Sequence, residues 1–379
     1  MKVLIVGPLP PPINGCAYAN EVLGAALGEH HECRVIDTAR ELESHPHAQP
    51  SFSSKARRFL RVYGQLPRLL GADVLYLTPG QTLYGILKFG PFMLLALLLR
   101  KPYVIHVHGN HLGEQYRLLQ GWDRKLFGFL VSGAAAGIVL SRSLRGNFYG
   151  LLPPCRVHVV HNFAGNRLFR THAPPKPVDK LRVLYLSNLV AGKGVLDLLD
   201  ALLLLQARGV EFEATLAGRL ESQISGEVRS RLAQLGTRAR YLGSVWGEKK
   251  LALLDQANVF VLPTYYELEG QPISLLEAMA TGNIVVTTAH AGIPDVVGEA
   301  NGYMVPVRNG LAIAERLCAI AADLPGELAR YSTHNIAYAR GNFSEATFVE
   351  GVTRVLEHAA GPRGRAPQTA SEPNQCGQG

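Results

Sequence analysis

Residues 264–288, TYYELEGQPISLLEAMATGNIVVTT, constrain this chain more than any other stretch. The apolar run 259–262 just before it reads as a buried strand. Gly270 and Pro272 then break the backbone, and a proline suits the first turn of a helix, where its missing N–H costs nothing. A helix is predicted over 273–280, stopped by Gly282, with a second apolar strand following. A helix that starts just past a strand's C-terminal end aims free amides and a positive dipole end into the crevice there. Two carboxylates frame the turn, Glu269 on it and Glu277 eight positions on. Helix capping would explain Glu269, and a solvated helix face would explain Glu277. Yet Glu277 is flanked by Leu275, Leu276, Ala278, Met279 and Ala280, and a carboxylate in such company needs a partner.

The rest of the chain repeats the strand–loop–helix rhythm twice, which predicts an α/β fold in two domains. In the first half the strand 2–6 runs into GPLPPPINGCA, and a helix follows over about 17–27. The loop lacks the G-x-G-x-x-G dinucleotide fingerprint; a plain turn and a ligand loop, with Gly15 allowing close approach, fit it equally. Further strands are read at 33–37, 73–77, 103–108, 137–140 and 156–160, with helices over 83–99, 114–130 and from 141. The strand 103–108 ends in HVHGNH, where His106 and His108 share a face and His111 follows the turn. No nearby acid or cysteine completes a metal set, so polar packing explains His106 and His111, while His108 faces the crevice at the strand end.

Residues 170–180 are Pro-rich and read as the linker between 1–169 and 181–342. In the second half, Lys193 sits between Gly192 and Gly194 at a strand-to-helix turn, well placed for a phosphate, although the Walker A pattern is missing. Strands at 181–189, 212–217, 240–245 and 259–263 put the opening stretch at the end of the fourth strand of this domain. A further helix is read from 292, a last strand at 303–306, then two helices ending near 358 and a tail, 360–379, of disordered composition.

Net charge is +8, which favours anionic partners. Residues 44–72 contain no acid and interleave Lys55, Arg57, Arg58, Arg61 and Arg68 with apolar residues, so 55–70 fits a basic helix on an anionic membrane surface, or an ordinary helix with a solvated basic face. No nucleic-acid reading motif accompanies these cations. Apolar runs fall short of the roughly 20 residues that span a bilayer. The five scattered cysteines form no CxxC and read as reduced thiols, which points to a cytoplasmic protein.

Glu269-Gly270-Gln271-Pro272, then Leu276-Glu277-Ala278-Met279-Ala280 and Gly282, resemble the E-x7-E signature of the family-4 retaining glycosyltransferases of GT-B fold. The resemblance implies two Rossmann-like domains facing across a cleft, with a helix at about 343–358 crossing back to the first. It implies a nucleotide-sugar donor, UDP- or GDP-linked, held by the second domain, and no cofactor or metal. Glu277 would bind the ribose, Glu269 would lie against the transferred sugar, and backbone amides of Gln271, Ile273 and Ser274, with Gly270, would face sugar and diphosphate. Lys193 would neutralise the departing diphosphate, His108 would meet the donor sugar, and Gly15 would let diphosphate and acceptor approach. Asn188 stands where the family commonly has an arginine, and Arg219 is the candidate to replace its charge. Asn14 stands where a second glycine is usual.

The implied activity is metal-independent, retaining hexosyl transfer to a glycan or lipid-linked acceptor, in cell-surface polysaccharide or lipopolysaccharide synthesis, at the inner face of the membrane. A non-catalytic sugar-nucleotide-binding subunit and a sugar-nucleotide epimerase of the same architecture are the alternatives.

Overall fold

The computed structural model of the chain describes residues 1–11, 14–39, 61–170 and 174–361. It divides into two compact units, residues 1–161 with the C-terminal helix from Phe348 on, and Asn162–Thr347.

The first unit runs β1 (Lys2–Gly7), α1 (Gly15–His30), β2 (Glu32–Asp37), β3 (Val74–Leu77), α2 (Leu83–Leu98), β4 (Tyr103–Val107), α3 (Leu112–Leu118), α4 (Gly121–Ser132), β5 (Ala136–Val139) and β6 (Val157–Val159). Its sheet is parallel, in the order β2-β1-β3-β4-β5-β6. The central strands β3, β4 and β5 are buried along their whole length, as near-continuous apolar runs should be when both faces are covered. Asn14 caps α1, its Oδ1 accepting from Ala17 N at 3.0 Å. The helix expected over 114–130 is two helices. Leu119 and Gln120 are extended, and Gly121 then re-enters at φ +55, a conformation cheap only for glycine. The helix expected from 141 is a 3₁₀ segment, Arg142–Phe148.

The second unit runs β7 (Leu181–Leu186), α5 (Val195–Ala207), β8 (Phe212–Ala217), α6 (Ser225–Leu235), β9 (Ala239–Tyr241), α7 (Gly247–Gln256), β10 (Val259–Leu262), α8 (Ile273–Ala280), β11 (Ile284–Thr288), β12 (Gly302–Val305), α9 (Gly310–Ala322) and α10 (Leu324–Asn342). The last helix, α11 (Glu345–Ala360), leaves this unit at Phe348 and packs in the first, with Phe348 6.2 Å from the His106 ring. The sheet order is β12-β11-β10-β7-β8-β9, again parallel. Counted within the unit, this is the 3-2-1-4-5-6 order of doubly wound nucleotide-binding sheets.

The expected strand 240–245 ends at Tyr241, and α7, absent from the sequence reading, fills the interval before β10. The helix expected from 292 is one 3₁₀ turn, Ile293–Asp295. Pro272 stands at the N-cap of α8 rather than inside its first turn. At the other end of α8, Gly282 adopts φ +76, and a Cβ there would lie 2.5 Å from Ser332 Oγ on α10. Only a glycine lets α10 approach this closely.

The unit boundary falls before Asn162, so the described part of 170–180 belongs to the second unit. It is pinned there: Lys176 Nζ donates to Leu254 O at 2.6 Å, and Asn258 Nδ2 donates to Pro177 O at 3.0 Å. Among the described cysteines, Cys16, Cys33 and Cys318 are free thiols. Residues 40–60, most of the acid-free stretch, and the tail from 362 lie outside the described residues.

Candidate active site

In the second unit, the connections from β7 and β10 leave in opposite directions, β7 through α5 to β8 and β10 through α8 to β11. Adjacent strands whose connections diverge open a crevice at their carboxyl ends, where ligands of such sheets bind. Lys193 reaches it from the turn after β7. Gly194, in a left-handed conformation (φ +71), makes that turn possible; a Cβ there would fall 2.2 Å from Pro263 O. Glu269 reaches it from the turn after β10. The two meet, with Lys193 Nζ 2.6 Å from Glu269 Oε2. Thr264 donates its hydroxyl to the same oxygen at 3.0 Å, and Tyr266 places its ring 5.2 Å below the ammonium. Tyr265 N donates to Gly192 O at 2.7 Å, locking the two turns together. A buried carboxylate is thus neutralised by a cation and a hydroxyl.

Glu277 also has a partner within the protein. Its Oε1 lies 2.6 Å from Lys250 Nζ, a residue of α7. Burial pushes the Glu277 carboxyl above the usual carboxylate range, and Lys250 opposes that shift. The sequence reading expected the ligand alone to satisfy this acid. It missed Lys250 because it missed α7, although Lys249-Lys250 ahead of the buried Leu253 and Leu254 was a usable helical signal.

Gln271 is buried and its side chain is committed: Oε1 accepts from Asn162 N at 2.6 Å, while Asn162 Nδ2 donates to Gln271 O at 2.8 Å. Gly270 O accepts from Gly292 N at 2.9 Å. Ile273 and Ser274 open α8, so their amides precede its first i→i−4 bond. Asn188 and Arg219, both exposed, occupy neighbouring strand-end turns. Leu189 N donates to Arg219 O at 2.8 Å, which sets Arg219 one place along from Asn188. Gly218 allows this, since a Cβ there would fall 1.8 Å from Ser187 O.

In the first unit, the corresponding divergence lies between β1 and β3. Gly15 is the first residue of α1. A Cβ on Gly7, at the end of β1, would lie 2.1 Å from Thr78 Oγ1, and Asn20 Nδ2 bridges Thr78 Oγ1 and Pro8 O, each at 2.9 Å. His108 follows β4. Its ring lies 4.2 Å from that of His106, tilted by 31°, and both of its nitrogens are buried without a hydrogen-bond partner. His106 Nδ1 lies 2.6 Å from the hydroxyl of Tyr76. Burial lowers His108 to about 4 and holds His106 well below the usual range, so both are neutral at pH 7. His111 does not join them; its amide donates to Gln81 Oε1 at 2.6 Å. Among the described residues no three His, Cys, Asp or Glu side chains gather as metal ligands.

Each unit is a doubly wound parallel sheet, and the solved structures the chain superposes on share this GT-B fold. Residues 180–323 match the family model of the Glycosyl transferases group 1, which bears out the resemblance read from Glu269 to Gly282. WcaL of Escherichia coli, named for a glycosyltransferase of colanic acid biosynthesis, is 32% identical over 168 residues, 42% of this chain and 41% of WcaL. The amylovoran biosynthesis glycosyltransferase AmsK of Erwinia amylovora is 31% identical over 141 residues, 35% of this chain and 34% of AmsK. The chain thus spans less than half the length of these curated relatives. Among solved structures, HepE of Anabaena in complex with UDP superposes with a TM-score of 0.70 at 18% identity, covering 94% of this chain and 100% of HepE. Sucrose-phosphate synthase of Thermosynechococcus elongatus gives 0.72 at 17% identity, over 94% of this chain and 99% of that one.

Proposed function

We propose that this chain is a metal-independent, retaining glycosyltransferase of hexosyl type, moving a sugar from a UDP- or GDP-sugar to a hydroxyl of a glycan or lipid-linked acceptor in cell-surface polysaccharide synthesis. The observation that carries this reading is the Lys193–Glu269 pair at the β7/β10 divergence, beside the opening amides of α8. An incoming diphosphate competes with Glu269 for the Lys193 ammonium. As the sugar–phosphate bond breaks, negative charge grows on the diphosphate, and Lys193 with the amides of Ile273 and Ser274 stabilises it electrostatically. Glu269, next to the transferred sugar, gains a cationic neighbour as positive charge develops at the anomeric carbon. Glu277 accepts the ribose hydroxyls, beside the Lys250 ammonium that offsets part of its burial. His108, neutral and unpartnered, serves as hydrogen-bonding partner to the donor sugar, and Gly15 leaves room for diphosphate and acceptor.

The nucleotide in the HepE complex and the polysaccharide pathways named for WcaL and AmsK support donor and acceptor class. The reading places the chain on the cytoplasmic face of the membrane, where nucleotide sugars meet lipid carriers. A contact through residues 55–70 rests on sequence alone, since residues 55–60 lie outside the described residues.

The test is incubation with UDP- and GDP-sugars, with and without a lipid-linked acceptor. Acceptor-dependent nucleotide release, unaffected by EDTA and giving a product of unchanged anomeric configuration, is expected. Sugar conversion without acceptor would make the chain an epimerase, and binding without turnover a non-catalytic subunit.

A further inference from the structure

The first unit carries an apolar surface that stays exposed among the described residues. On α4, Trp122, Leu126 and Phe129 recur at i, i+4 and i+7, one stripe of the helix. Trp122 is 84% exposed, Phe129 57%, and Leu126 is exposed as well. The flank beside it, Phe127, Leu130 and Val131, is buried. Helix α2 lies alongside, since a Cβ on Gly90 would meet Leu130 Cδ1 at 3.6 Å, and it adds Leu98, 78% exposed, and Leu94. Isolated exposed leucines need no explanation, but five large apolar side chains on two adjacent helices mark an interaction face.

The charges around the face choose the partner. Lys125 holds its ammonium 5.3 Å over the Trp122 ring, Arg124 lies beside it against Tyr116, and Arg100 closes the end of α2. Asp123 is the one acid on the two helices. A second copy of the chain would set this cationic rim against itself, which like-charge repulsion opposes. An anionic bilayer surface matches both components: apolar side chains enter the acyl boundary, tryptophan sits at headgroup depth, and lysine and arginine meet lipid phosphates. Among the described residues no helix is long and apolar enough to cross a membrane, so the face lies on the bilayer rather than through it.

We infer that the α2/α4 face, centred on Trp122, Leu126 and Phe129, docks the chain on an anionic membrane surface. This rests on the lipid-linked acceptor of the proposed function and names the surface that brings the chain to it.

Flotation of the full chain with vesicles tests it. Binding to phosphatidylglycerol–phosphatidylcholine vesicles is expected to exceed binding to phosphatidylcholine alone by at least tenfold, and to weaken with salt. The variant Trp122→Ser/Leu126→Ser/Phe129→Ser changes exposed positions, so its thermal unfolding should match the parent while vesicle binding falls at least tenfold. Arg124→Glu/Lys125→Glu should lose the preference for anionic lipid. Parent-like flotation of the triple variant overturns the inference. So does a concentration-dependent dimer, by light scattering, that the triple substitution dissociates in a chain that ignores vesicles. A chain that transfers sugar to a soluble acceptor but does not float overturns this inference and leaves the transferase reading. Flotation lost in the triple variant, from a chain that releases no nucleotide, supports the inference and removes the transferase reading.

Discussion

The two strand-end edges solve the same topological problem with opposite electrostatics. The β7/β10 edge concentrates ions, pairing Lys193 with Glu269 and, a helix away, Lys250 with Glu277, both at 2.6 Å. The edge formed after β1, β3 and β4 concentrates neutral polar groups: Asn20, Thr78, the Tyr76 hydroxyl and two histidines that burial keeps uncharged. A buried ion is tolerable only when paired, so the first edge must carry its counter-ions in the absence of ligand. A neutral edge needs none, and its unpartnered His108 nitrogens cost less. This contrast supports the proposed placement of the charged donor at the β7/β10 edge.

Breaking the Lys193–Glu269 pair is the most severe test of that contrast. Lys193→Met or Glu269→Met alone should lower turnover by about 10²–10³-fold. Each should also destabilise the fold by about 3–5 kcal/mol in urea unfolding, because each strands a buried charge. The double Met variant should recover most of that stability and none of the turnover. Were it no more stable than either single change, the two charges would not be compensating each other.

Glu277→Gln should separate binding from stability. Nucleotide affinity by calorimetry should fall at least tenfold, about 1.4 kcal/mol. Melting temperature at pH 7 should be unchanged or higher. The folded-state affinity of Glu277 for its proton is raised, so its contribution is most favourable below the ordinary carboxylate value of about 4.3 and is lost as pH rises through the raised one. Any gain in the Gln variant should accordingly vanish in acid. A variant less stable at pH 7 than the parent would show that the Lys250 pair outweighs burial.

The neutral edge makes a converse prediction. His108 is lowered to about 4, so its contribution is complete above about 6.5 and is lost as pH falls from there towards 4. His108→Asn should flatten the acid side of the stability profile by at most about 1.4 kcal/mol per pH unit. A profile parallel to that of the parent would place His108 in a wetter, chargeable environment. The smallest effect belongs to Arg219→Ala, an exposed change that should leave stability intact and weaken donor binding by about 0.5–1 kcal/mol. Asn188→Arg should restore that loss if Arg219 replaces the missing cation.

What was legible from sequence divides along physical lines. Buried parallel strands are apolar runs that announce themselves, so β1, β8 and β10 were found close to their true ends, whereas the strand read over 181–189 overran β7 by three residues. Glu269 and Lys193 stood out because they lie on short turns between strand and helix, and Glu277 because it is an acid among apolar residues. Lys250 did not, since its meaning comes from a residue 27 positions away on another helix. Nor did the close neutral pair of His106 and His108, whose His106 is tied to Tyr76 on the neighbouring strand. The α3/α4 break escaped because apolar spacing continues across Leu119 and Gln120, and Gly121 alone signals the turn.

The chain path sets an order of birth. The second unit is one continuous stretch, Asn162–Thr347, whereas the first is finished only by the helix from Phe348, whose ring packs against His106. On the ribosome the half that emerges first is therefore completed last, after the ion-paired unit has had its whole sequence available to fold. Until α11 arrives, the histidine edge lacks one of its walls, so a nascent or truncated chain ending near residue 344 should hold a formed Lys193–Glu269 pair beside an immature partner unit.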